Sequence, residues 1–323
     1  MLPIDNSARA RQRRVAARRW PGRPPRWHLA LLVAGLVPLV TACIAVPRPP
    51  HIVSQGAPAT DAFDGRAIRV LVWNLYKSSL DGWREDFDAL VAERDLLLLQ
   101  EGYWDAETRG WFTHPGFAWW LGVTFETTRC SPHPATGTLL GSRALPVSPV
   151  LSLHSPYREA LTGTPKSLIA ATFAVTGAAR PLLAVSVHAT NLHVDTTAFE
   201  RHIDQAFETV HRHRGPAILA GDFNTWSDAR LAYLLDLAAS LQLTSVFDPG
   251  PPREPGDGRM TWAGHYLDHA FVRGLDVRPG ARVHYDVSSS DHAPLSFVVA
   301  IPDSSGAGPL PSRSSPARAD GRS

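Results

Sequence analysis

Short, wholly apolar runs that stop at a carboxylate, an amide or a histidine constrain this chain more than any other feature. Leu96-Leu97-Leu98-Leu99 stops at Gln100-Glu101, Ala217 to Ala220 stops at Gly221-Asp222-Phe223-Asn224, and Leu182 to Val187, apolar but for Ser186, stops at His188. Runs this short with no polar alternation read as strands buried on both faces. Further strands are expected at Ile68 to Tyr76, Ala118 to Phe125, Thr138 to Ser142, Leu168 to Val175, Thr261 to Ala263, Leu267 to Val272, Arg282 to Asp286 and Leu295 to Ala300. Between them, helical spacing places Trp83, Phe87, Leu90 and Val91 on one face, and Phe199, Ile203, Phe207 and Val210 on another, with a third helix over Asp228 to Leu241. Interleaved in this way, the elements predict an α/β architecture with helices covering the outer faces of sheets.

Charge divides the chain. Of 323 residues with a net charge of +2, residues 1 to 50 hold nine arginines and one acid, while 51 to 302 hold 20 basic and 27 acidic residues. The body is therefore acidic at −7, and a broad basic nucleic-acid-binding face is not expected. With 44% hydrophobic residues it has the means for a full core as one domain, and neither a disordered chain nor a small disulfide scaffold fits.

The N-terminal arginines, Arg9 to Arg26, precede a short apolar run, Leu29 to Ala42, that ends Val40-Thr41-Ala42-Cys43. This is the layout of a secretory signal, and the small residues before a cysteine resemble a bacterial lipobox, in which Cys43 is lipidated. An uncleaved anchor running on through Ile44, Ala45 and Val46 is the alternative, and a cytoplasmic protein the third choice. Either of the first two readings exports the body and tethers it to the membrane of a bacterial envelope. The expected organisation is a signal or anchor segment over 1–43, a Pro-rich linker over 44–66, one domain over 67–302 and a disordered tail over 303–323.

Asn74, Glu101, His188, Asp222, Asn224, Asp268, Asp291 and His292 all lie at or near the ends of apolar strands, where polar groups can converge on one rim of a sheet. An oxygen-rich set of this kind suits a hard cation such as Mg²⁺, with Mn²⁺ as a substitute. With no cysteine pair and no His-x-x-x-His on a helix, zinc is disfavoured. Singly, each motif has a plainer reading as a turn, a helix cap or a surface loop.

In order, however, Trp73-Asn74, Gln100-Glu101, the His188 strand end, Gly221-Asp222-Phe223-Asn224, Leu267-Asp268-His269 and Ser290-Asp291-His292-Ala293-Pro294 resemble the successive signatures of the endonuclease/exonuclease/phosphatase superfamily. The resemblance covers about Ile68 to Ile301. It implies a four-layered α/β/β/α sandwich of two packed mixed sheets with the active site at the top between them, and hydrolysis of a phosphoester by an in-line water. It further implies that Glu101 is the principal metal ligand with Asn74 and Asp291 near the ion, and that Asp222 and Asn224 orient and deprotonate the water. His292 would be an alternative base or a phosphate ligand, Asp268 would fix its tautomer, and His188 would protonate the leaving group or bind the phosphate. The chain's two lysines, Lys166 and Lys77, are candidate phosphate contacts.

The expected substrate is a phosphodiester, from a nucleic acid or a phospholipid head group, with no protein partner. The leading expectation is a phosphodiesterase or endonuclease. A lipid or small-molecule phosphohydrolase and an inactive binding scaffold are the alternatives; the intact polar set speaks against the scaffold. The acidic body disfavours a long duplex footprint. The aromatic segment Tyr103, Trp104, Trp111, Phe112, Trp119 and Trp120 is expected to divide between core and a substrate or membrane face. Specificity is expected from loops over Thr127 to Gly137, Leu151 to Lys166 and Asp248 to Arg259.

Overall fold

The computed structural model describes residues 44–128, 134–191, 193, 196–250, 261–262 and 264–302. In chain order, β1 (Ile44–Ala45), β2 (Ile52–Gly56), β3 (Ala62–Phe63) and β4 (Ile68–Asn74) lead to α1 (Trp83–Val91). β5 (Leu96–Trp104), β6 (Ala118–Thr127), β7 (Ala135–Ser142), β8 (Leu151–Arg158), β9 (Pro165–Val175) and β10 (Leu182–His188) precede α2 (Thr197–Arg212). β11 (Ala217–Asp222) is followed by α3 (Asp228–Ser240), then β12 (Thr244–Ser245), β13 (Thr261–Trp262), β14 (His265–Tyr266) and β15 (Asp268–Arg273). β16 (Asp276–Val277), β17 (Arg282–Val283) and β18 (Leu295–Ala300) close the described chain.

Two mixed sheets pack face to face, the sandwich expected from the resemblance. The first runs β1-β6-β7-β5-β4-β18-β16, with β2 also on β6 and β17 on β18; the second runs β12-β15-β11-β10-β9-β3, with β8 also on β9. Each has a central parallel pair, β4 with β5 and β10 with β11, flanked by antiparallel strands. This topology explains the rim. Parallel strands end at one edge, and their antiparallel neighbours begin there, so Asn74 pairs with Gln100, and His188 with both Asp222 and Ser167. Asp222 in turn pairs with Asp268.

The apolar runs are uninterrupted because each strand of a central pair is covered twice. Val70, Val72, Leu96 and Leu98 meet Ile169, Phe173, Ile218 and Ala220 between the sheets. The alternate residues Leu71, Trp73, Leu97 and Leu99 pack under α1, and Val185, Val187, Leu219 and Phe271 pack under α2 and α3. Trp104, Phe112 and Trp119 are buried in the α1 layer, where Trp83 stacks on Phe87 at 4.6 Å between centroids. Trp111 and Trp120 are partly buried against the core, so five of the six aromatics contribute to packing.

Four expectations change. The Pro-rich segment 44–66 is not a free linker: β1 and β2 both add to the edge of β6, β3 pairs β9, and Gln55 Nε2 donates to the carbonyls of Arg109 and Phe112 at 2.8 and 2.7 Å. Edge strands are bonded on one side only and tolerate polar residues and nearby prolines, which is why the segment reads as a tether. Leu151 to Arg158 is strand β8 where a loop is expected, and the strand expected from Thr138 begins at Ala135. The strand expected over Arg282 to Asp286 shortens to β17. Segment 1–43 with Cys43, Cys130 and the tail 303–323 lie outside the described residues, as does most of Asp248 to Arg259.

Candidate active site

Asn74, the last residue of β4, is buried, and its Nδ2 donates to Asp222 Oδ2 across the two sheets at 3.0 Å. Below it, the fully buried Gln100 donates through Nε2 to Ser186 Oγ at 2.9 Å and ties the sheets together again. Gly221 is required here: at φ +145° a Cβ would meet Val187 O at 2.0 Å and Gln100 Nε2 at 3.0 Å.

Glu101 leaves the regular pleat. The β5–β7 register shifts between Leu99 and Gly102, and Glu101 takes φ +52°. Its carboxylate faces two ammonium groups, Lys77 Nζ at 2.6 Å and Lys166 Nζ at 4.0 Å, with His188 Nε2 at 3.9 Å. Burial pushes its pKa up, but the two lysines outweigh burial and hold it below the ordinary value. Lys77 lies in a run of three left-handed residues, Tyr76, Lys77 and Ser78, and Asn224 is left-handed at φ +50°. Of the six described non-glycine residues with positive φ, five are thus at this rim. A conformation costing about 1–2 kcal/mol per residue is concentrated where the polar groups converge.

The second sheet's side is drier. Asp222 Oδ2 lies 3.4 Å from His188 Nε2 and 3.9 Å from His292 Nε2, and Asp222 Oδ1 accepts the Asn224 amide N–H at 3.0 Å. Burial raises Asp222 to about 6, opposed by His292 and assisted by Asp268. His292 Nδ1 is paired to Asp268 Oδ2 at 2.8 Å. Burial alone would lower the imidazole, but Asp268 overrides it and lifts His292 to about 10. His188 goes the opposite way: burial first, then the charges of Lys166 and Lys77, hold it well below the usual histidine range. Its Nε2 therefore accepts from Lys166 Nζ at 2.7 Å. Asp291 is exposed at the rim, its carboxyl raised chiefly by desolvation, with Oδ1 4.0 Å from His292 Nε2.

All ten candidate residues of the rim are thus joined by contacts of 4.0 Å or less. Sequence reasoning missed several residues that hold them. Arg230 is buried on α3 between Phe199 and Trp226, its guanidinium carbon 4.7 and 4.3 Å from their ring centroids. It donates to the carbonyls of Thr190, Asn224, Asn191 and His193 at 2.9 to 3.1 Å, pinning the loop after His188 to Asn224. The signal was an arginine in register with Leu234 and Ala238 on the buried face of α3. Ser290 Oγ donates to Asn74 O at 2.7 Å, and Trp73 Nε1 donates to His292 O at 2.9 Å, fixing residues 290–292 to the end of β4. His269, next to Asp268, faces the α2–α3 layer, bonded to Thr225 Oγ1 at 2.7 Å.

The donors suit a hard cation. Among the described residues no three acidic, histidine or cysteine side chains are grouped as a metal cage, but Mg²⁺ is commonly held by one or two carboxylates with waters. Glu101 already holds a cationic atom, Lys77 Nζ, against its Oε2, and Asp291 lies near enough for the charge of Glu101 to raise it further. Beside this set lies a cavity of about 200 Å³ reached by Lys77, Glu101, Lys166 and His188. A larger open groove of about 670 Å³, lined by Asp204, Phe207 and Leu241 among others, contains none of the candidate residues.

The chain is 28% identical over 281 residues to a UPF0294 protein of Vibrio campbellii, covering 82% of this chain and 93% of that one. It is 29% identical over 286 residues to the UPF0294 protein of Vibrio cholerae, covering 83% and 95%. Its fold is similar to the endonuclease/exonuclease/phosphatase from Beutenbergia cavernae (TM-score 0.57, 18% identity, 73% of this chain and 72% of that one). It is also similar to the human Nocturnin catalytic domain (TM-score 0.51, 18% identity, 78% and 99%). The sequence profile of the Endonuclease/Exonuclease/phosphatase family matches residues 71–292, from the centre of β4 to His292, and the chain belongs to that family.

Proposed function

We propose that this member of a phosphoester-hydrolase family is a divalent-cation-dependent phosphodiesterase that cleaves by in-line attack of water. The observation that carries the reading is the meeting of two unlike groups at one rim: a low-pKa carboxylate facing cations, Glu101, and a raised one, Asp222, between two imidazoles.

Asp222 receives the proton of the attacking water, its raised pKa placing it near the pH at which a base works best. Asn74 and the Asn224 amide, which bond its two oxygens, set the direction of the carboxylate. His292, kept as imidazolium by Asp268, presents positive charge to the phosphate. Lys166 holds a phosphate oxygen and supplies a proton through His188 Nε2 to the leaving oxygen. Glu101, with Asn74 and Asp291, would hold the cation, which when bound neutralises charge on a non-bridging phosphate oxygen. Lys77 balances Glu101 and contacts phosphate when displaced from it.

Hydrolysis of bis-(p-nitrophenyl) phosphate by the purified chain tests this reading. Turnover with Mg²⁺ or Mn²⁺ that EDTA abolishes is expected; turnover that survives EDTA, or none with either ion, contradicts it.

A further inference from the structure

The second sheet carries a separate cleft at the strand ends that lie away from the rim. β10 runs from Leu182 to His188, β11 runs beside it from Ala217 to Asp222, and β15 returns from Asp268 to Arg273. At about 3.3 Å per residue, their far ends stand about 20 Å from His188 and Asp222. There the turn before β10, the connection from α2 to β11 and the end of β15 line an open cleft of about 600 Å³. Each supplies one arginine, Arg180, Arg214 and Arg273 in that order, and among the described residues no acid lines the cleft. In a body with 27 acidic and 20 basic residues over 51 to 302, that segregation is unusual. A cleft of about 370 Å³ at the corresponding end of the first sheet shows the ordinary case: Arg69, Arg94 and Arg143 share it with Glu93 and Asp95, and Arg69 Nη1 lies 3.4 Å from Asp95 Oδ2.

The arginines are held by a fixed frame. Arg273 Nη2 donates to the carbonyls of Val210, His213 and Gly215 at 3.2, 2.7 and 3.3 Å, and His213 Nε2 donates to Pro181 O at 2.9 Å. Gly215 lets these segments close on one another: a Cβ there would meet Pro181 O at 2.5 Å, His213 Nε2 at 2.8 Å and Arg180 Cβ at 3.0 Å. The connections that bear Arg180 and Arg214 are thereby locked together, with Arg273 fastened to the second. All three bonds of Arg273 leave from Nη2, so its Nε and Nη1 have no hydrogen-bond partner among the described residues. The side chains of Arg180 and Arg214 have neither a hydrogen bond nor an ion pair there. Burial lowers the Arg273 guanidinium, and the charge of Arg214 lowers it further. Burial likewise lowers His213, and the charges bearing on it are those of Arg273 and Arg180. Guanidinium groups gathered without a carboxylate repel one another, and an oxyanion that accepts bidentate, charge-assisted bonds relieves the repulsion.

We infer that the cleft formed by Arg180, Arg214 and Arg273 is a second binding site, remote from the rim, for a small, free, multiply charged oxyanion of the phosphate or diphosphate type. It holds whatever bond the rim cleaves. A phosphate group carries about −1.5 to −2 at pH 7, a charge that two or three guanidinium groups neutralise. The volume falls within the roughly 300–1,000 Å³ of small-molecule sites. The acidic body opposes a nucleic-acid strand laid across the cleft.

Isothermal titration calorimetry of the full chain with inorganic phosphate and with pyrophosphate, in EDTA at constant ionic strength, tests the site. The unaltered chain is compared with the double variant Arg180→Gln/Arg214→Gln and with the rim variant Lys166→Gln. The double variant is expected to weaken pyrophosphate binding at least about tenfold, and each single change to account for part of that loss. Because Arg180 and Arg214 are exposed, the melting temperature of the double variant without anion should match that of the unaltered chain. Lys166→Gln should keep the binding event that depends on the two arginines. Equal affinity in the double variant and the unaltered chain, loss of all binding in Lys166→Gln, or no binding of either anion overturns the inference. A short single-stranded DNA that binds more tightly than pyrophosphate and depends on the same two arginines overturns the small ligand in favour of a polymer.

Discussion

On the first sheet's side of the rim, Glu101 meets the ammonium groups of Lys77 and Lys166; on the second, Asp222 meets the imidazoles of His188 and His292 and the amide of Asn74. Asp222 ends β11 and is buried, and Glu101, partly buried, follows the last residue of β5 that pairs with β4. Burial raises each, yet Glu101 ends below its ordinary value and Asp222 at about 6. The difference lies in the neighbours. Two lysines beside Glu101 favour permanent negative charge, whereas Asp222 shares its dry surroundings with a second acid, Asp268. One architecture, repeated, yields a group that keeps its charge and a group that exchanges a proton.

Substitutions should break the two sides differently. Asp222→Asn is expected to lower kcat by about 10³-fold, the range of a lost general base, and to cost about 1–2 kcal/mol of stability, because the amide can accept from the Asn224 N–H or from Asn74 Nδ2 but not from both. Asp268→Ala is expected to cost about 3 kcal/mol of stability in chemical denaturation, because it leaves the buried His292 imidazolium without its partner. Arg230→Met keeps the stack between Phe199 and Trp226 but loses four bonds to carbonyls; a loss of about 2 kcal/mol is expected, together with lower kcat as the Asn224 loop loosens.

The smallest effects are those of pH. Asp222 must be ionised to accept a proton, so kcat/KM should rise through about pH 6; loss of the His292 imidazolium should lower it again near pH 10. For stability the sign is set by His292, whose folded pKa is raised from 6.5 to about 10. Its contribution is complete below about pH 6.5 and is lost as pH rises through about 10. Stability measured across that window should flatten in His292→Asn.

Much of this was legible in the residues. A carboxylate or histidine directly after an apolar run is costly unless it reaches water or a partner, so Glu101, His188 and Asp222 stood out, and the order of the motifs pointed to the sandwich. The segment 44–66 was not legible, because β1 and β2 are edge strands with one bonded side and little apolar patterning. Nor were the directions of the pKa shifts. His188 and His292 are the same residue type at the same rim, yet one is lowered and the other raised, depending on whether Lys166 or Asp268 arrives from another strand. Arg230 was hidden because an arginine on a helix is normally solvated, and only the fold shows four carbonyls converging on it.

The contrast between the two carboxylates is tested by the magnesium dependence of the initial rate, measured side by side for the unaltered chain, Glu101→Gln and Asp222→Asn on bis-(p-nitrophenyl) phosphate. Glu101→Gln should raise the magnesium midpoint by about 10–100-fold or more, with part of the rate recovered at high magnesium. Asp222→Asn should lower the saturated rate at an unchanged midpoint. Equal shifts of the midpoint in both variants, or a saturated rate untouched in Asp222→Asn, would contradict the division of labour across the rim.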